Sequence, residues 1–421
     1  RVAVVEVASA VAAFVGYTAA GSPDTPVRVG SMAEFEAVFG GPPRPRLRVA
    51  AAPQGYVLTR SGPAFRLHDA MRLFFANGGG VCWIVSVGGY DAPAVEAAAL
   101  ARGLAALEGE AEPTLVVIPE AVELAAAECY ALQVAMLAHC AAANRFAILD
   151  IHGGERPRGD PGGDVVAAFR DAIGTEHLSY GAAYYPWVRT SLFDGLTAAD
   201  FEGDGVDVAE LFAGGGGDAL REAAAARLGL MPPASALAGI YATVDATRGV
   251  WKAPANVGLS GVMAPAVAID AQDQEDLNTP LSGRSVNAIR AFPGEGVLVW
   301  GARTLDGASA DWRYISVRRT CQMIEESVRP ALAALVFEPN TAATWLAVRG
   351  LVETYLTGLW RRGGLVGVKP EQAFAVQCGL GQTMTQADVD GGVLRVVVML
   401  ALIRPAEFIV LTFEQRMTPP A

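Results

Sequence analysis

Charge is scarce in this 421-residue chain: Asp, Glu, Lys and Arg make up 18% of it, against 52% hydrophobic residues. That balance excludes general disorder and leaves apolar side chains for a sizeable core. The 32 basic and 44 acidic residues leave a formal net charge of −12. The basic residues form no cluster of the kind that neutralises phosphates, so no nucleic-acid partner is expected. The acidic balance suits keeping a dense assembly soluble, or meeting a more basic partner. Cysteine is sparse and odd in number: Cys82, Cys129, Cys140, Cys321 and Cys378, with no CxxC pair. Four of the five lie in apolar or helical runs and read as small buried hydrophobes in a reducing compartment. His68, His139, His152 and His177 are scattered without ligand spacing, so no metal is expected. The longest apolar stretch, 121–143, is interrupted by Glu123, Glu128, Gln133 and His139, and no membrane insertion is expected. The chain begins with Arg1, not Met, and the expectation is that some N-terminal residues precede it.

Catalytic signatures are missing too. No serine sits in a GxSxG elbow, and Asp150-Ile151-His152 is only a strand end. Gly214 to Gly217 lack the Lys-Ser/Thr of a phosphate loop. The acidic group Asp270, Asp273, Glu275 and Asp276 lacks a calcium loop's glycine and terminal glutamate, and reads as a helix start. Asp388 to Gly392 reads as a turn between strands.

What is present is alternation. Apolar runs at 12–17, 81–87, 114–119, 145–150 and 181–187 are separated by helical patterns at 68–77, 92–107, 120–143 and 165–173. Ser31 with Glu34 opens a further short helix as a capping box. Strands apolar throughout and separated by helices predict a parallel sheet covered on both faces. Leu192 to Arg227 is glycine-rich and reads as an irregular insertion or mobile loop. Beyond Asn287 the order changes: a strand at 297–301, long helices at 314–335 and 343–360, then strands at 373–378, 393–400 and 407–413. The fold class is therefore α/β plus α+β. The expected division is an arm and strand over 1–17, an α/β domain over 18–283 with the insertion at about 192–230, and an α+β domain over 284–421.

Several stretches in order, among them 238–256 (AGIYATVDATRGVWKAPAN), 300–305 (WGARTL), 312–319 (WRYISVRR), 337–340 (FEPN), 384–392 (MTQADVDGG) and 404–409 (RPAEFI), resemble contractile tail sheath proteins, as do Ala13 to Gly16 and Ala76 to Cys82. The matches span nearly the whole chain. The resemblance implies a subtilisin-like middle domain in fold only, and no enzyme. It implies stacked hexameric rings around an inner tube, with baseplate and tail-terminator or cap proteins as further partners and no cofactor. It places assembly in the bacterial cytoplasm, within a phage tail or a phage-like injection particle. It further implies that terminal arms add strands to a neighbour's C-terminal sheet. Here Val2, Val4, Val5 and Val7, with Phe408, Val410, Thr412 and Phe413, would dock on Phe374, Val376, Val396 and Val398 of the next copy. An open sheet edge offers unpaired N–H and C=O groups that a foreign strand satisfies. The opposing expectation keeps both end strands in the chain's own sheet. Arg318 and Arg319, with Glu325 and Glu326, could pair between subunits or form a network on one helix. Trp251, Trp300 and Trp312 read as core residues rather than a ligand platform. The competing functions are an α/β hydrolase-like enzyme and a non-contractile structural or adhesin protein.

Overall fold

Apolar runs stopped by glycine or proline become strands here, and the longer periodic runs between them become helices. The computed structural model describes residues 2–45 and 47–413. The chain starts with β1 (Ala12–Gly16), β2 (Val27–Val29), α1 (Met32–Phe39), the hairpin β3 (Leu47–Ala52) and β4 (Gly55–Arg60), and α2 (Leu67–Ala76). Regular alternation follows: β5 (Cys82–Ser86), α3 (Ala97–Ala106), β6 (Leu115–Val117), α4 (Ala126–Ala143), β7 (Phe146–Asp150), α5 (Val165–Ala172) and β8 (Gly181–Tyr185). Then come β9 (Val188–Thr190), β10 (Phe201–Asp204), α6 (Val208–Ala213), α7 (Gly217–Leu228), β11 (Leu230–Met231) and α8 (Ala234–Arg248). The central part closes with β12 (Val257–Gly258), β13 (Val262–Pro265), α9 (Ala271–Asn278), β14 (Asn287–Phe292) and β15 (Gly296–Trp300). The C-terminal part holds α10 (Ile315–Ala333), α11 (Ala342–Arg361), α12 (Pro370–Ala373), β16 (Phe374–Gln377), α13 (Gln386–Asp390) and β17 (Val397–Leu400).

Nine strands form one sheet in the order β12-β15-β14-β8-β7-β6-β1-β5-β2. From β14 to β5 neighbours are parallel, while β15, β12 and β2 add antiparallel edges. β1, β7 and β8 are buried along their whole length, the reason they read as unbroken apolar runs. On one face Leu100, Leu132 and Phe169 of α3, α4 and α5 fill the core. On the other, Phe35, Phe74 and Tyr241 of α1, α2 and α8 do so. A Cβ at Gly239 would lie 2.5 Å from the Phe74 carbonyl oxygen, so glycine is what lets α8 approach α2. α4 is long and apolar enough to cross a membrane, contrary to expectation, but Leu132, Met136, Leu137 and Cys140 pack it into the core.

Capping follows the sequence closely. Ser31 accepts the Glu34 N–H at 3.1 Å, while Glu34 returns to the Gly30 N–H at 2.6 Å, one residue beyond a strict box. Asp270 and Asp273 cap α9 reciprocally. Asp388 lies within the short helix α13, not in a plain turn.

Three expectations need correction. β14 and β15 belong to the nine-stranded sheet through β8, so the sheet runs past residue 283 to Trp300. β1, expected with the N-terminal arm, lies near the middle of the sheet between β5 and β6. The segment 192–230 is no irregular loop. β10 pairs parallel with β3, and α6 and α7 enclose Leu47, Val49, Phe201, Val208, Leu220 and Leu228 in a separate small core.

Candidate functional site

Both chain ends meet the C-terminal unit, whose core joins α10 and α11 (Met323, Ile324, Val352, Leu356) to a two-stranded sheet. β16 and β17 pair antiparallel over four residues, Phe374 opposite Leu400 through Gln377 opposite Val397. No other strand joins them among the described residues; the antiparallel Leu365–Leu402 bridge and the Val366 N–H on the Ala401 carbonyl pair the chain just past β17, and the outer edges of the two strands themselves lack a ladder partner. Two strands alone are marginal, and exposed edges invite pairing. The expected strand at 393–400 starts only at Val397, because the Arg395 carbonyl accepts from the Thr383 hydroxyl at 2.7 Å. Along it side chains alternate: Val396, Val398 and Leu400 face the core, while Val397 and Met399 point outward, the latter 48% exposed. Phe374, Val376, Val396 and Val398 therefore pack against the core of their own subunit, Val376 buried and the other three half-buried.

Among the described residues, neither 2–8 nor 408–413 forms a strand. Residues 2–8 are fastened at several points. Glu6 accepts from Arg362 at 2.5 and 3.1 Å and from the Tyr355 hydroxyl at 2.9 Å. The Val7 N–H donates to Ser327 Oγ at 3.0 Å. Val4 and Val7 pack on the core between the helices, while Val2 and Val5 are exposed. Two of the four expected exchange valines are thus used within the subunit; Arg1 lies outside the described residues. At the other end Glu407 accepts from Nη2 and Nε of buried Arg303, at 2.5 and 2.9 Å. Beyond this anchor Phe408 is 67% exposed, Val410 87% and Phe413 88%, with Thr412 exposed between them. Such an apolar run leaves its side chains in water, and its backbone has only solvent for a partner until a strand is offered. Beside its root opens a cleft of about 680 Å³, lined by Trp251, Trp300, Ile403, Pro405 and Phe408. Trp251 and Trp300 are half-buried walls of this cleft, and Trp251 also packs against the C-terminal core.

Arg318 and Arg319 are not available to a neighbour. Arg318 is sandwiched between the rings of Trp312 and Tyr180, 3.6 and 4.2 Å from their centroids, and donates to Ser179 Oγ at 2.6 Å. Arg319 pairs with buried Asp245 at 2.6 Å, lies over Tyr241 and donates to the Ser9 carbonyl at 3.0 Å. Ser9 Oγ donates to the same Asp245, so this pair clips the N-terminal segment to α8 and α10. Of the expected acids, Glu325 and Glu326 accept from Asn144, and Glu326 also meets Arg329. The Arg303–Glu407 and Arg362–Glu6 anchors have no sequence signal, since their partners lie 104 and 356 positions apart.

At the carboxyl ends of the parallel strands, where α/β enzymes place their chemistry, two carboxyls are sealed inside. Glu120 accepts from the Tyr17, Arg66 and Leu67 N–H groups at 3.1 to 3.3 Å. Asp150 accepts from Ala234 N–H at 2.8 Å and so caps α8. Burial raises both to about 7. His152 has its Nε2 on the Leu124 carbonyl at 2.8 Å. These groups clip backbone rather than face a substrate.

Two family models match the chain: the phage tail sheath protein central domain over residues 93–305, and the phage tail sheath C-terminal domain over 308–416. The anti-feeding prophage helical sheath in its contracted state is similar at 30% identity and TM-score 0.72, over 98% of this chain and 95% of that one. The six-fold symmetrised anti-feeding prophage baseplate structure contains a chain similar at 29% identity and TM-score 0.70, over 99% of this chain and 96% of that one. The tail sheath protein of Burkholderia phage BcepMu is 33% identical over 105 residues, 24% of this chain and 22% of the phage protein. The matched stretch thus spans about a fifth of that curated relative.

Proposed function

The chain belongs to the phage tail sheath family, and we propose that it polymerises as stacked six-membered rings around an inner tube and shortens to drive that tube through a target envelope. The single observation that carries this reading is the two-stranded β16–β17 sheet, whose strands lack a ladder partner on their outer edges among the described residues, together with the exposed apolar run 408–413 that forms no strand. A strand from the next copy would satisfy edge and arm together. Of the expected residues, Phe408, Val410, Thr412 and Phe413 carry this role best, with Val2 and Val5 as outward positions at the N-terminal end. Linked arms would let rings rotate and spread without separating, with the shortened state favoured by better-satisfied interfaces. In this reading the central unit has a subtilisin-like topology put to structural use. The C-terminal unit starts just beyond β15. Baseplate, inner tube and cap proteins are the partners, and assembly takes place in the bacterial cytoplasm. The hydrolase reading loses ground because Glu120, Asp150 and His152 are committed to backbone groups.

Deleting residues 408–421 tests the proposal. The variant is expected to stay monomeric with an unchanged circular dichroism spectrum, while the full chain forms hollow tubes in negative-stain micrographs. Tubes of normal length from the truncated chain would overturn the role of the C-terminal arm.

A further inference from the structure

The small module made by β3, β4, β10, α6 and α7 divides its charge by sequence segment. Residues 37–68 contain five arginines and no acidic residue, whereas residues 190–220 contain seven acidic residues and no lysine or arginine. Both segments fold into the same three-stranded sheet, in the order β10-β3-β4. The acidic strand is therefore one edge and β4 the opposite edge, so the two patches face away from each other.

Within the module Arg48 of β3 stands opposite Glu202 of β10, and Asp69 and Asp91 share the cleft of Arg44 and Arg60. Among the described residues no ion pair joins the two segments: Arg66 pairs with Glu123, and Asp218 with Arg221. Glu202 and Asp204 on β10 are exposed, and so is Asp207 at the start of α6. On the other side Arg44 and Arg60 line a cleft of about 590 Å³ with Tyr90 and Phe193, where Asp69 and Asp91 also stand. Burial first, and then the Arg66 guanidinium, lower Arg60 below its ordinary value against the opposing pull of Glu123 and Asp69, and a further carboxylate would favour its charge. β4 adds exposed apolar surface at Tyr56 and Val57, 48% and 49% exposed.

We propose that the acidic edge of this module, β10 into the first turn of α6, docks on the basic edge of an adjacent copy, at β4 with Arg44 and Arg60. The inference rests on the self-assembly reading above and assigns it a second contact, separate from the chain ends. The occupant is another copy of this chain, because one molecule carries both complementary patches and, among the described residues, no ion pair joins them. A contact between unlike patches is head-to-tail, so it repeats around a ring or along a helix instead of ending at a dimer. It also sets the register of neighbours in a chain of net charge −12, since acidic edge on acidic edge repels.

The test uses the full chain in three forms: unaltered, Arg44→Glu with Arg60→Glu, and Glu202→Arg with Asp204→Arg. Each variant alone is expected to raise the critical concentration for tube formation at least about tenfold, as like charges are brought together. A 1:1 mixture of the two should return it to within about threefold of the unaltered chain, because every contact in an alternating polymer is again between unlike charges. A misfolded variant could not be rescued in this way. Variants that polymerise as readily as the unaltered chain, or folded variants whose mixture stays unassembled, overturn the inference. If the unaltered chain forms no tubes, it is the self-assembly reading that fails.

Discussion

Removing one partner of the Arg319–Asp245 pair should destabilise the protein far more than an ordinary ion-pair deletion. Both side chains are nearly sealed from water, at 3% and 7% exposure, and the pair also holds Ser9. Arg319→Met strands the Asp245 carboxylate in a dry site, and breaking a buried pair in this way costs about 3–5 kcal/mol. At about 2.1 cal/mol/K per residue, 421 residues have an unfolding entropy of about 0.9 kcal/mol/K, so the melting temperature should fall by about 3–6 °C. Differential scanning calorimetry reads this directly. The N-terminal segment should loosen as well, exposing residues 2–9 to limited proteolysis. The double variant Arg319→Met with Asp245→Leu should recover most of the loss, since no buried charge is left alone. A single-variant loss below about 1 kcal/mol, the scale of exposed pairs, would refute the reasoning. So would a double variant equal to the sum of its parts.

Two further outcomes follow from buried groups. Glu120 and Asp150 have folded pKa values raised to about 7 by burial. Each binds its proton more tightly when folded, so its contribution is complete below about pH 4 and is lost as pH rises through about 7. Glu120→Gln should flatten the fall in stability between pH 5 and 8 by on the order of 3 kcal/mol in urea titrations, and an unchanged slope would contradict the assignment. Gly239→Val should cost about 2–3 kcal/mol by forcing α8 away from α2, and a neutral result would mean that the contact yields easily.

The central sheet was legible because β5, β6, β7 and β8 are buried on both faces, and burial on both faces writes itself as an unbroken apolar run. The module at 192–230 was not. Its apolar residues have no full partner set nearby; Leu47 and Val49 complete the core from some 150 positions earlier. The domain boundary was misplaced for a related reason: β14 and β15 look like the start of a hairpin unit, and only pairing with β8 ties them to the sheet. Arg318 and Arg319 illustrate the limit for sites. Two adjacent cations on a helix normally mark a wet face. Here Trp312 and Tyr180 cover one, and Asp245 neutralises the other.

The position of β1 has a mechanical consequence. Tension applied to residues 2–8 would first meet Arg362, Ser327 and the clip at Ser9. It would then reach a strand laddered to β5 over five residues and to β6 over three. A pull along that strand loads both ladders in shear, with many bonds resisting at once, whereas a peeling force would open them singly. A pull on the N-terminal segment would thus be borne by the middle of the nine-stranded sheet.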